Sequence, residues 1–198
     1  MSEKDKIWSI VFSGVGGQGV ILITEITALA AVKSGYDVKQ TEVHGVSQRG
    51  GSVETQVRFG KRVWSPMVTP GNADAVVGLE TLEGLRSAHY AQAETGVILL
   101  NEHKIVPASV ENAEQMYPSN SAELLIQKGY QVIQLSATKI AHELGDGRMA
   151  NVVMIGRLST LLPIPQEIWS DTLIKRIPLK YLDPNLKAFE AGRAAVTA

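Results

Sequence analysis

The strongest constraint on the fold lies at the start of the chain. Residues 7–13 (IWSIVFS) form a short apolar run rich in β-formers, which reads as a buried strand. The run passes without a spacer into residues 14–19 (GVGGQG), and these pass directly into residues 20–34, a stretch with neither Gly nor Pro. That stretch predicts a helix lying on a sheet, with Leu22, Ile26 and Leu29 on one stripe and Gly35 as its stop. Residues 38–43 read as a second strand. A strand–loop–helix–strand unit is the usual opening of an α/β layer.

Beyond Val43 the pattern changes. Residues 44–51 (HGVSQRGG) are polar and glycine-rich. Val53, Thr55, Val57 and Phe59 then alternate with Glu54, Gln56 and Arg58, as in a half-exposed strand. Gly60-Lys61 predicts a turn into residues 62–64, giving a hairpin. Pro66 and Pro70-Gly71 break the chain. Residues 73–79, 96–100 (ending at Asn101) and 130–135 read as further strands. Helices are expected over 80–90, 138–144 and 151–161. Asn120-Ser-Ala-Glu123 resembles a capping box for a helix ending near Lys128-Gly129. Trp169, Leu173 and Ile177 recur every fourth residue on another helix, and Asp183-Pro184 fits an N-cap followed by Pro at the first helical position. Repeats, low-complexity segments and linkers are absent. The expected architecture is one three-layer α/β domain over residues 1–198, with a mostly parallel, mixed sheet and a Rossmann-like first unit.

Two loops carry the functional signal. Gly14, Gly16 and Gly19 spell G-x-G-x-x-G between a strand and a helix. Glycines permit close backbone approach, and a helix N-terminus presents free N–H groups to a phosphate or carboxylate. Glu42 lies 23 residues after Gly19, where a dinucleotide site would use an acid on ribose. Three readings stay open on pattern alone: a dinucleotide site, a site for another anionic group, and a tight turn serving helix–sheet packing. The second loop gathers His44, Ser47, Gln48, Arg49, Gly50 and Gly51. If the second strand lies parallel beside the first, both loops share the sheet edge where ligand crevices form. A guanidinium beside free backbone N–H groups suits a phosphate, a carboxylate or a partner's acidic side chain.

Composition removes several function classes. The 198 residues include 19 Lys+Arg against 20 Asp+Glu, a formal charge of −1, which is no electrostatic footprint for nucleic acid. The chain has no cysteine, so thiol nucleophiles, disulfides and a cysteine-ligated iron–sulfur cluster cannot reside on it. His44, His89, His103 and His142 are scattered without metal-ligand spacing. Residues 1–6 are charged and lack an apolar signal-peptide core, and apolar stretches end well before a membrane-spanning length; a cytoplasmic protein is expected. Gly145-Asp146-Gly147 matches the start of a thiamine-diphosphate motif. It follows a helix instead of a strand, however, and residues 172–178 hold no Asn to complete it, so Gly145 reads as a helix stop.

Residues 14–19 and 42–51 (EVHGVSQRGG), taken together, resemble the gamma-type component of 2-oxoacid:ferredoxin oxidoreductases, and the second motif is most similar to the small subunit of the indolepyruvate type. Ala73-Asp74, Leu79-Glu80, residues 82–86 (LEGLR) and residues 151–156 (NVVMIG) fit the same family. The resemblance implies a non-redox subunit of an enzyme that oxidatively decarboxylates a 2-oxo acid to an acyl-CoA and reduces ferredoxin. It places thiamine diphosphate, Mg and iron–sulfur clusters on a large partner subunit, coenzyme A as co-substrate, and no catalytic residue on this chain. The expected binding or interface set is Gly14, Gly16, Gly17, Gln18, Gly19, His44, Ser47, Gln48, Arg49, Gly50 and Gly51. The competing reading is a stand-alone nucleotide-binding or regulatory α/β module; self-association of the isolated chain is open under either.

Overall fold

The computed structural model describes residues 6–44, 50–105, 117–118 and 120–195. Six strands form one sheet in the order β2-β3-β1-β4-β5-β6. They are β1 (Trp8–Val15), β2 (Asp37–His44), β3 (Ser52–Gly60), β4 (Ala75–Gly78), β5 (Val97–Asn101) and β6 (Gln131–Leu135). β1, β4, β5 and β6 run parallel. β3 is antiparallel to both β1 and β2. Seven α-helices occur among the described residues: α1 (Val20–Lys33), α2 (Thr81–Ser87), α3 (Ser121–Gln127), α4 (Ala137–Glu143), α5 (Ala150–Leu158), α6 (Gln166–Arg176) and α7 (Leu179–Ala194).

Alternation along β1 supplies both cores. Ile10 and Phe12 point into the larger one, with Val57, Phe59, Val77 and Leu99 from neighbouring strands and side chains from α1 and α4 to α7. Val11 points the other way, joining Val76, Ile98, Leu125 and Val68 under α2 and α3. Burial of each such large side chain contributes roughly 1.5–3 kcal/mol. The three-layer mixed α/β reading holds.

Four local expectations are corrected. The hairpin is made by β2 and β3, not by β3 and residues 62–64. Both edges of β3 are already paired, and side chains hold the segment after it: Val63 N–H donates to Asp37 Oδ2 at 2.8 Å. β2 runs in the same direction as β1 but is separated from it by β3. On α1 the buried face includes Ile23, Ile26, Thr24 and Thr27 while Leu29 is exposed. The threonines can go inward because their hydroxyls donate to Val20 O and Ile23 O, each at 2.8 Å. Finally, α7 starts at Leu179 and carries Pro184 inside it. Leu182, Leu186 and Phe189 share the core-facing side, so the apolar period continues through the proline.

The helix at Ser121–Gln127 forms as expected, but Asn120 caps it without a side-chain bond. Gly35 and Gly145 do stop helices, with φ of 85° and 106°. No helix among the described residues is long and apolar enough to cross a membrane.

Candidate functional site

The first glycine loop is clamped by its own glutamine. Val15 N–H donates to Gln18 Oε1 at 2.7 Å, and Gln18 Nε2 donates to Leu79 O at 3.1 Å. One amide therefore ties the end of β1 to the residue after β4. A Cβ on Gly14, the penultimate residue of β1, would lie 2.8 Å from that Oε1 and 2.9 Å from Val20 Cγ2, so the clamp closes only over a glycine there. Gly19 is the N-cap of α1 at φ 79°, and a Cβ there would lie 2.3 Å from Asn151 Nδ2. No side chain caps this helix, so the positive end of its dipole lies at the loop.

The second loop meets the first directly. Gly16 N–H donates to Gly51 O at 2.8 Å. The far side of this junction is anchored as well. Ser52 Oγ donates to Glu83 Oε2 at 2.5 Å, and Arg86 Nη1 donates to Glu83 Oε1 at 2.6 Å. Of the expected set, Gly14, Gly16, Gly17, Gln18, Gly19, Gly50 and Gly51 gather at this end of the sheet. Ser47, Gln48 and Arg49, and the side chain of His44, lie outside the described residues. The loops adjoin by a route other than the one expected: β3 turns back beside β1, with Val15 opposite Ser52. Glu42 is consequently two strands away from β1, and the acid-on-ribose arrangement of a dinucleotide site does not form.

Beside the first loop is a cleft of about 330 Å³. Gly17, Gln18 and Leu79 form one wall; Asn101, His103, Thr138 and His142 form another; Asp146, Arg148 and Asn151 close it. This is the crevice outside the carboxyl ends of the parallel strands, where ligands bind in open α/β sheets. A polar ladder crosses it. Asn101 Nδ2 donates to Leu79 O and to Thr138 Oγ1, both at 3.0 Å, and Thr138 N–H donates back to Asn101 Oδ1 at 3.3 Å. Leu79 O thus receives both Gln18 and Asn101. At the rim, Arg148 grips both oxygens of Asp146 through Nε, at 3.0 and 2.9 Å. The guanidinium bonds and the Arg148 backbone N–H hold that carboxyl down to about 2.

Such a cleft is equipped to bind and orient through hydrogen bonds and an uncapped helix end. Among the described residues no three His, Cys, Asp or Glu side chains converge as a metal site, and Asp146 of the Gly-Asp-Gly triplet is committed to Arg148. Sequence reasoning did not bring Asn101, Thr138, Arg148 and Asn151 to this cleft. Asn101 left a trace, since a polar residue ending an apolar parallel strand points to the ligand edge.

Residues 9–195 match the family model for pyruvate ferredoxin/flavodoxin oxidoreductase. The chain is 36% identical over 192 residues to the indolepyruvate oxidoreductase subunit IorB of Thermococcus kodakarensis, covering 94% of this chain and 95% of that one. It is 37% identical over 188 residues to the IorB of Archaeoglobus fulgidus, covering 93% and 92%. The chain belongs to the pyruvate ferredoxin/flavodoxin oxidoreductase family. Its fold agrees: a keto/oxoacid ferredoxin oxidoreductase gamma subunit from Geobacter sulfurreducens superposes with a TM-score of 0.69 at 26% identity, covering 93% of this chain and 95% of that one.

The remaining family-like segments have structural work. Glu80 is buried and accepts from Glu83 N–H at 2.9 Å, from Ile105 N–H at 3.1 Å and from the Tyr117 hydroxyl. Burial and that carboxylate push the Tyr117 phenol up. Residues 151–156 place Gly156 against α7, where α5 and α7 cross in backbone contact.

Proposed function

We propose that this chain is the small, non-redox subunit of a 2-oxoacid:ferredoxin oxidoreductase of the indolepyruvate type. In that assembly a 2-oxo acid and coenzyme A become an acyl-CoA and CO₂, and ferredoxin takes up the electrons. Thiamine diphosphate with Mg and the iron–sulfur clusters belong to a large partner subunit. When bound there, thiamine diphosphate supplies the electron sink for decarboxylation and the clusters carry electrons away. This chain does not fit either group: it has no thiolate to offer a cluster, and its Gly-Asp-Gly aspartate is held by Arg148.

The observation that carries the reading is the near full-length match to indolepyruvate oxidoreductase small subunits, combined with the bond between Gly16 and Gly51. That bond brings the end of the second loop, at Gly51, against the first loop beside a polar cleft. That surface would face the large subunit near its reacting centre, shaping the channel for substrate and coenzyme A or binding an anionic part of it. Gly14, Gly16, Gly17, Gly19, Ser47, Gln48, Arg49 and Gly50 carry this role.

The test is co-expression with the large subunit, followed by arylpyruvate- and coenzyme A-dependent reduction of ferredoxin. Turnover is expected only when both chains are present. Turnover by the isolated chain, or full turnover by the large subunit alone, overturns the assignment. Tight binding of NAD, FAD or ATP by the isolated chain with no affinity for the large subunit moves it to a nucleotide-binding module. For the loops, Arg49→Ala in the reconstituted complex is expected to change substrate kinetics or assembly; unchanged values of both count against them.

A further inference from the structure

The end of the sheet opposite the cleft carries a feature that the two loops do not explain. The segment between β3 and β4 exposes a tryptophan and a methionine, yet it is held rigidly. Trp64 is 77% and Met67 55% exposed, while Val63 and Val68 beside them are 2% and 4% exposed. Arg58 Nη1 donates to Ser65 O at 3.1 Å and to Met67 O at 3.2 Å. Asp37 takes Val63 N–H, and Gln56 takes Val68 N–H at 2.7 Å. The Arg62 guanidinium stacks 4.0 Å from the centre of the Trp64 ring. Side chains of two strands are thus spent on presenting two apolar side chains to solvent.

We propose that this segment is a protein-docking surface whose occupant is an acidic-rimmed apolar recess on the large subunit, a proposal that rests on the assignment of the chain as the small subunit. Trp, Met and Arg are enriched at protein interfaces, and Trp and Arg where binding energy concentrates; a display already ordered loses little entropy on docking. The charge around it is net positive. Lys6, Lys39, Arg58 and Arg62 meet at this corner against Asp37 and Asp74: Lys6 bonds Asp74 at 2.7 Å, Lys39 bonds Asp37 at 2.8 Å and stands opposite Arg58. A carboxylate-bearing partner complements that excess. Trp8 and Gly60 mark this end of the sheet, whereas Val15 and Ser52 mark the other. Contact here therefore leaves the cleft open for its own role.

The experiment titrates the large subunit with wild-type chain, Trp64→Ala, Met67→Glu and Arg62→Glu, reading affinity at low and high salt and ferredoxin reduction at each concentration. Trp64→Ala and Met67→Glu are each expected to weaken association about tenfold or more, with kcat restored at saturating chain. Arg62→Glu is expected to slow association and flatten its salt dependence. Melting curves should match wild type, since the altered side chains are exposed; for a variant that melts early, its neighbour serves as the reading. Unchanged affinity and salt dependence in all three overturn the proposal, as does a loss of kcat that saturation does not restore. Concentration-dependent self-association of the isolated chain that Trp64→Ala abolishes overturns the choice of occupant. If the wild-type chain fails to bind the large subunit at all, the functional reading falls and this partner falls with it.

Discussion

Gly16 and Gly51 are joined by a 2.8 Å backbone bond, although a helix and a strand separate them in sequence. The next residue, Ser52, donates to Glu83, a carboxylate that is 4% exposed. The junction of the two loops is therefore supported from the α2 side by a buried charge whose other oxygen belongs to Arg86. Ser52→Ala removes one of these partners and leaves the carboxylate short of a bond, at a cost of roughly 1–3 kcal/mol. Urea unfolding should show that loss. The assembled enzyme should also show a raised KM for at least one substrate, because the loop junction shifts. Wild-type values of both would mean that the Ser52 contact does not hold the loops.

Gly19 offers a cleaner separation of backbone from side-chain effects. Alanine there must adopt φ near 79° and place its Cβ 2.3 Å from Asn151 Nδ2. The left-handed conformation alone costs roughly 1–2 kcal/mol, and the clash adds to it. Gly19→Ala is expected to lose about 2 kcal/mol or more by urea unfolding. In an Asn151→Ala background the steric part vanishes and the penalty should fall towards the backbone share, a coupling that a double-mutant cycle reads directly. Strict additivity of the two substitutions would refute the contact.

The cleft was legible in the sequence only on its glycine side. A strand running into G-x-G-x-x-G and then a helix is a local signal, and it placed β1, the loop and α1 correctly. The order of strands is a global property. Residues 53–59 read as the first arm of a hairpin with residues 62–64, because Gly60-Lys61 is good turn chemistry; their real partners are β2 just before them and β1 far before them. Pro184 misled for a related reason: a proline after Asp has the pattern of a helix start, while the packing of Leu182, Leu186 and Phe189 carries the helix through it. Asn101, Thr138 and Asn151 reach the cleft through the crossover connections, which no local pattern records.

Asp146 and Arg148 make a pH-dependent tie at the cleft rim. The carboxyl has an ordinary value of 3.8 and is held at about 2, chiefly by the Arg148 side chain and then by its backbone N–H. A folded value below the unfolded one means that the pairing contributes fully above about pH 4 and is lost as pH falls towards 2. The pair is exposed, so its effect on global stability is small and the sensitive readout is the carboxyl signal itself by NMR. Its midpoint should lie near 2 in the wild type. In Arg148→Gln it should return part-way towards 3.8, since the backbone N–H remains. A midpoint that ignores the substitution would show that the guanidinium is not the cause.

The crossing of α5 and α7 sets a competition between helix propensity and space. Gly192 lies in the last turn of α7, and a Cβ there would be 1.9 Å from Val153 O; at Gly156 on the facing helix it would be 2.2 Å from Phe189 O. Alanine is the better helix former by about 1 kcal/mol, so on an isolated helix either substitution would stabilise. Here the obstructing atoms are backbone and cannot rotate aside. The two helices must separate, which also loosens Phe189 from Trp169, rings now 6.3 Å apart. Overpacking of this kind costs roughly 1–3 kcal/mol and occasionally more, and against backbone the upper end applies. Gly156→Ala and Gly192→Ala are each expected to lose about 2 kcal/mol net. For a chain of this length that lowers Tm by roughly 4–8 °C. Calorimetry that finds either variant as stable as the wild type, or more so, would show that the helices part without cost and that the glycines are not there for the crossing.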